Sequence, residues 1–503
     1  MPEDEPHTIV DSDSESKVFS NQAKIEKTQT VEVIQVAAHT AKEDNTAALW
    51  ESDPVNPRNW SPGKKWLMTS VVAAYNFVPP TASSMMGPAL PQIALHYGIT
   101  NDTLLSMTLS VFLISFAFGP LIFAPLSEVY GRTWVLHAGN LAFIAFSLGC
   151  AFSPNTNTLI GFRFLSGLAG SAPIACGGGT VSDLFPPESR ASAMALYTLG
   201  PLVSLASHIF GPIAGGFITQ TIGFKWIFVT IAALAGIFGA VGIPFLRETY
   251  GPVVQQRQGR RQSSNTYASP NSTQSISSMI WENFSRPLIL LTRSFLCFIL
   301  SLYMSLIYGI YYLMFTTFSA LYLNVYHFNT GTSGLAYLGL GIGFFLATLI
   351  GAYVGNVIYA KLSARNGGVG TPEMRIPALI FGSFFTPVGL FWYGWSAEAR
   401  LHWIMPIIGT AIFAFGFMTA FLPIQLYLVD AFTYAASALA AASVLRSIFG
   451  FIFPLFGQQM FDALGDGGGN SLLGGLAIVL GIPFPIWIYY KGAEIRARNP
   501  LNK

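Results

Sequence analysis

From Lys65 to Tyr490 the chain alternates apolar stretches of about twenty residues with short breaks marked by charge, Pro, Gly or Asn. A bilayer core takes about 20 apolar residues per helix, so the pattern predicts spans near 66–90, 104–126, 134–153, 157–182, 191–218 and 225–246. The alternation then stops. Residues 247–290 are rich in Ser, Gln, Asn and Arg, and six further stretches follow near 293–324, 332–361, 376–395, 402–428, 435–460 and 472–490. The prediction is an all-α integral membrane protein with twelve transmembrane helices in two six-helix halves, 65–246 and 291–491, joined by a cytoplasmic linker at 247–290. Tails at 1–64 and 492–503 flank them, and the first is polar enough to be disordered to about Trp50. It has no basic-then-apolar leader with a small-residue cleavage site, so the first span is expected to direct insertion.

The positions of Lys and Arg test this count, because cytoplasmic loops carry the excess. With both termini inside, the cytoplasmic segments hold Lys64, Lys65, Arg132, Arg190, Arg247, Arg365, Arg375 and Lys491 among others, and the outer loops only Lys225 and Arg400. An odd number of helices would scramble that asymmetry. Composition agrees: 52% of the 503 residues are hydrophobic and 10% charged, against about 25% charged in a soluble domain. Nothing in the charge pattern suggests nucleic acid. Cys150, Cys176 and Cys297 lie within apolar stretches without CxxC spacing, and no two of the seven histidines sit at i, i+4, so neither a disulfide nor a metal centre is expected.

Several segments carry more specific information. DPVNPRNWSPGKKW (Asp53 to Trp66) has prolines that prevent a helix and Trp and Lys suited to an anionic interface. AFGPLIFAPLSEVYGR ends the second span with Glu128, Gly131 and Arg132, where a glycine permits reversal and the charges can make contacts that break and reform. Arg163 opens RFLSGLAGSAPIACGGGTVSDLF, and an arginine inside a membrane is costly unless paired or hydrated. Its bland alternative is capping of carbonyls on neighbouring helices. LGPLVSLASHIFGPIAGGF places Gly200, Pro201, Gly211, Pro212, Gly215 and Gly216 along the fifth span. On the seventh, Tyr308, Tyr312 and Phe315 share a face, which either packs or lines a cavity for flat, greasy molecules. Arg446, about a dozen residues into the eleventh span, is a second midplane charge.

Together these segments resemble the major facilitator superfamily, and within it the fungal twelve-spanner drug:H+ antiporters, from about Asp53 to the C-terminus. The resemblance implies a secondary transporter, not an enzyme, working by alternating access. It would be driven by a proton gradient without a cofactor, expel lipophilic drugs, toxins or secondary metabolites, and act as a monomer in the plasma or vacuolar membrane. It further implies proton coupling at Arg163, an inner-gate turn at Glu128, Gly131 and Arg132, and an antiporter motif on the fifth span. The turn departs from the family pattern at Ala124, Val129 and Thr133, and SLASHIF (Ser204 to Phe210) spans seven residues where the pattern allows four. No Asp or Glu falls in mid-membrane, and Thr316 and Thr317 stand where relatives that handle polyamines carry a carboxylate. Neutral or weakly acidic lipophilic substrates are therefore favoured over polyamines. The alternatives are an importer or a polyamine exporter of the same superfamily and, behind these, a transport-dead membrane sensor.

Overall fold

A computed structural model describes residues 50–186, 200–262, 276–432 and 435–498, with the side chains at 200–208, 258–262, 276–280, 282–283 and 352 outside the description. The chain divides into Met1–Ser61 and Pro62–Lys503. In the first unit, DPVNPRNW folds on its own polar groups. The Asn56 amide donates to the Trp50 carbonyl at 3.0 Å and its oxygen accepts from the Arg58 N–H at 3.0 Å, while Asn59 donates to the Asp53 carbonyl at 2.9 Å.

The second unit opens with α1 (Pro62–Ser84), a 3₁₀ turn at Gly87–Ala89 and α2 (Leu90–Tyr97). The rest of the first half is α3 (Asp102–Tyr130), α4 (Arg132–Ala151), α5 (Thr156–Gly170), α6 (Ala172–Leu184), α7 (Gly200–Ile222) and α8 (Lys225–Phe245). The predicted fifth span begins at 191, and its residues 191–199 lie outside the described ones. Where a polar linker is predicted, the structure has two helices, α9 (Gly251–Gln262) and α10 (Ile276–Arg293). The linker pattern lacks a long apolar run but contains no proline inside Val253–Gln262, so hydropathy alone misses it. The second half comprises α11 (Phe295–Asn324), α12 (Thr330–Ala336), α13 (Leu338–Leu346), a π turn at Ala347–Gly351, α14 (Ala352–Arg365), α15 (Ile376–Glu398), α16 (Ile404–Ala431), α17 (Ala435–Gly481) and α18 (Pro483–Arg498).

Among the described residues, nine helical runs are long and apolar enough to cross a bilayer, and the ninth, Ala435–Arg498, covers 64 residues. A straight helix of that length would be about three times the thickness of the core. It reverses instead at Gly465, whose φ of 73° and ψ of 168° are not helical. Contacts with α11 show the reversal: Gly450 lies against Tyr308 and Gly457 against Leu313, and then Gly481 lies against Tyr303. Glu398 closes the turn by accepting from the Gly467 N–H at 3.2 Å, an acidic group at a helix start. This hairpin counts as two passes, and α1 and the shorter apolar helix Ile209–Ile222 stand where the sequence pattern places the first and fifth spans.

The chain ends of this unit and the linker lie on one face, the linker face. On the far face, Asn side chains start the returning helices: Asn101 accepts from the Leu104 N–H at 3.1 Å, Asn155 from Thr158 at 2.9 Å and Asn329 from Thr332 at 2.8 Å. A neutral cap satisfies a helix start without placing a charge at the membrane surface. The centre of the unit is α11, where Tyr303, Ile307, Tyr311, Met314 and Phe318 are all buried.

Candidate transport pathway and its gates

The turn between α3 and α4 is held by charge. Gly131 has a φ of 99°, and a side chain there would collide with the Glu248 carboxylate. Glu248 accepts from the Arg132 N–H at 2.9 Å and the Tyr250 N–H at 3.0 Å, tying the start of α4 to the chain beyond α8. The Arg132 guanidinium reaches Asp183 at the end of α6, Nε to Oδ2 at 3.4 Å, and donates to Ser127 at 2.5 Å. Tyr250 covers it at 5.0 Å, and burial raises the Tyr250 hydroxyl above its ordinary value, so the ring stays a neutral phenol beside the cation. Gly179 leaves room for the guanidinium, since a Cβ there would lie 2.7 Å from Arg132 Cζ. Glu128, expected from sequence to make charge contacts at this turn, is exposed and forms no ion pair among the described residues. Arg132 instead spans two helices, with Ser127 of α3 and Asp183 of α6 as its partners.

The second half repeats the arrangement. Arg375, at the start of α15, reaches Asp430 near the end of α16 at 3.3 Å, and its guanidinium lies 3.8 Å from the Tyr359 ring centroid. Counting passes, α15 and α16 stand where α4 and α5–α6 stand in the first half. Arg496, on α18, pairs with Glu373 in front of α15 through Nε at 3.2 Å and Nη2 at 3.3 Å. Each of these pairs lies within one half. Sequence reasoning finds no Asp or Glu in mid-membrane and assigns no role to Asp183, Glu248 or Asp430. The available signal was an arginine opening the third pass of each half with an aspartate closing the fourth.

On the far face the contacts run between halves. Gln220 of α7 accepts from the Gly331 N–H at 2.8 Å, and Thr103 of α3 donates to the Leu455 carbonyl at 3.0 Å and meets Gln459 at 3.1 Å. Nearer the midplane the Ser83 and Tyr312 hydroxyls are 3.5 Å apart. The motif on α7 supplies much of this closure. A Cβ at Gly211 would strike Ser84, one at Gly215 the Met85 carbonyl, and one at Gly216 would lie 2.8 Å from the Thr330 carbonyl. The Pro212 carbonyl sits against Gly334. Gly200 and Pro201 begin the helix, and their surroundings, like the side chain of His208, are outside the described residues.

Arg163 is 1% exposed. Its Nε donates to the Thr108 carbonyl at 3.3 Å, its guanidinium lies 4.4 Å from the Phe112 ring and 5.9 Å from Phe228, and Nη2 has no partner. The carbonyl-capping geometry is therefore present, with one nitrogen, Nη2, left over. Of the three aromatic residues expected to line a cavity, Tyr312 and Phe315 are buried, the latter against Tyr337 at 4.7 Å, and only Tyr308 is partly open. Tyr308 faces Arg446, whose guanidinium lies 5.0 Å from its ring. A separate groove of about 460 Å³ opens on the far face beside Gln92, His96, Phe224 and Trp226, away from all these charges.

Comparison with known proteins agrees with this architecture. A family model described as Major Facilitator Superfamily matches residues 72–454. The chain is 40% identical to "Efflux pump radE" of Floropilus chiversii over 453 residues, covering 88% of this chain and 83% of the relative. It is 42% identical to "MFS-type transporter hepF" of Aspergillus oryzae over 91% of this chain and 95% of the relative, and 39% identical to "Efflux pump vrtL" of Penicillium aethiopicum over 91% and 92%. Among solved structures, the xylose transporter XylE from E. coli, in a partially occluded inward open conformation, superposes with a TM-score of 0.62 at 13% identity, covering 85% of this chain and 98% of XylE.

Proposed function

This chain belongs to the major facilitator superfamily, and we propose that within it the protein is an exporter that expels small lipophilic compounds in exchange for protons. The observation that carries alternating access is the division of contacts between the two faces. Among the described residues, hydrogen bonds join the halves on the far face, at Gln220 with Gly331 and Thr103 with Leu455, whereas the linker-face pairs Arg132 with Asp183 and Arg375 with Asp430 each lie inside a half. Such pairs stiffen each half without fastening one to the other, so the halves can rock as bodies about a midplane site. Export rather than import is supported by identity near 40% across most of both chains to relatives named efflux pumps and by the glycine seam that α7 presents to α1 and α12.

In this reading the linker face is cytoplasmic, consistent with its excess of Lys and Arg, and the protein acts as a monomer in the plasma membrane without a cofactor. Arg163 holds the proton-coupling role, its unpartnered Nη2 being a donor that a protonation change nearby would engage or release. The test is accumulation of varied labelled lipophilic compounds in a host lacking its own efflux pumps, with and without a protonophore. Lower accumulation that the protonophore abolishes is expected. Accumulation above that of the empty host would instead establish import.

A further inference from the structure

We propose that the midplane site around Arg446 recognises planar aromatic oxyanions, carboxylates or phenolates carried on a flat ring system. This rests on the export reading and narrows its substrate class. Arg446 lies eleven residues after Ala435 in α17, about 17 Å along the helix axis, and so near the middle of a core about 30 Å thick. Its Nε is buried with no acceptor, and it enters none of the ion pairs among the described residues. The guanidinium is instead bordered by ring faces, Tyr308 at 5.0 Å and Phe421 at 5.6 Å. Ring faces compensate a cation only in part, and an unpaired charge held in this setting remains costly. An anion brought to that edge removes the deficit.

The shape of the ligand follows from the rings. Phe417 stacks on Phe421 at 5.5 Å with planes 24° apart and is tilted 30° from Tyr308, so the walls beside the guanidinium are nearly co-oriented. Walls oriented in this way suit a flat molecule laid along them with its edge towards Arg446 better than a puckered one. Arg163 has an unpartnered nitrogen too, but it is 1% exposed and enclosed by Phe112 and Phe228. Arg446 is only half-buried, so a solute can reach it. An amine would meet the same guanidinium with no mid-membrane carboxylate to receive it, which opposes polyamines.

The test is equilibrium binding to the purified full chain in lipid nanodiscs, using 2-naphthoate, its neutral isostere 2-naphthamide and the non-planar decalin-2-carboxylate. The unmodified protein is expected to bind naphthoate at least tenfold more tightly than either of the others. Arg446→Gln should abolish the preference for naphthoate over naphthamide while leaving naphthamide binding within about threefold. Arg446→Lys, which keeps the charge and leaves the ring walls of Tyr308, Phe417 and Phe421 in place, should retain the preference for the anion and that for the planar acid. Equal affinity for naphthoate and naphthamide in the unmodified protein, or a preference that survives Arg446→Gln, would overturn the assignment. Binding requires neither flux nor a gradient. Preserved efflux without an anion preference therefore removes this inference alone, and preserved preference without efflux removes the export reading alone.

Discussion

Replacing Asp183 with Asn changes almost nothing in size and removes the charge that faces Arg132. The Arg132 side chain is 9% exposed and Asp183 18%, so the pair is largely shielded from water. Breaking a buried pair by removing one partner costs about 3–5 kcal/mol, because a charge is left behind. Here Glu248, which holds the Arg132 main chain at 2.9 Å, offsets part of the loss, and a cost of about 2 kcal/mol is expected. The equivalent change at Asp430 strands Arg375 in a pair whose side chains are 20% and 33% exposed, where water screens the interaction and the cost falls below about 1 kcal/mol. The protein carries its own reporters of unfolding. Cys150, Cys176 and Cys297 are free and buried, so a thiol-reactive fluorophore stays dark until heating exposes them. Asp183→Asn should lower the midpoint clearly more than Asp430→Asn, and the double variant with Arg132→Gln should be less damaged than the sum of the single ones by about 1–2 kcal/mol. If Asp430→Asn proves as harmful as Asp183→Asn, or if the Arg132 and Asp183 effects simply add, the reasoning from burial is wrong.

Gly215→Ala places a methyl group against the Met85 carbonyl and should abolish efflux at normal surface expression, whereas Gly236→Ala, with nothing within 4 Å, should leave it intact; equal efflux by the two would remove the close α1–α7 contact from the mechanism. Thr103→Cys with Gln459→Cys, at positions whose side chains meet at 3.1 Å, should be joined by a short thiol cross-linker, stopping export until a reductant-cleavable bridge is cut. Transport that continues in the bridged protein would rule out opening of that face. Arg163→Leu should eliminate protonophore-sensitive efflux with surface expression retained, and efflux equal to that of the unmodified chain would end its coupling role.

Hydropathy made the passes themselves legible. The second predicted span, 104–126, corresponds to Asp102–Tyr130 and the seventh, 293–324, to Phe295–Asn324, because apolar length is what a bilayer selects. Helix α1 was legible by its place but ends at Ser84 rather than near 90, where Gly87 and Pro88 break the helix before α2. The gate residues were visible individually and not as a network. Arg132 and Asp183 are 51 positions apart, Arg132 and Glu248 116, and Arg375 and Asp430 55, and neither motif nor periodicity pairs charges across such distances. For the same reason the likeness of the two halves resides in which passes the charges connect rather than in residue identity. Among the aromatics, spacing correctly put Tyr308, Tyr312 and Phe315 near one another, but only the packing of Tyr337 and Ser83 against them separates buried rings from the one that faces Arg446.

The reversal at Gly465 bears on how the chain is made. With a single non-helical residue between the last two passes, there is no loop to cross the bilayer ahead of its second arm, and Asp462 and Asp466 flank the tip. The two passes must enter the membrane together as a helical hairpin. A chain cut short within residues 466–481 would then strand the preceding pass without the partner it inserts with, so late truncations should be lost at insertion rather than persist as inactive transporter.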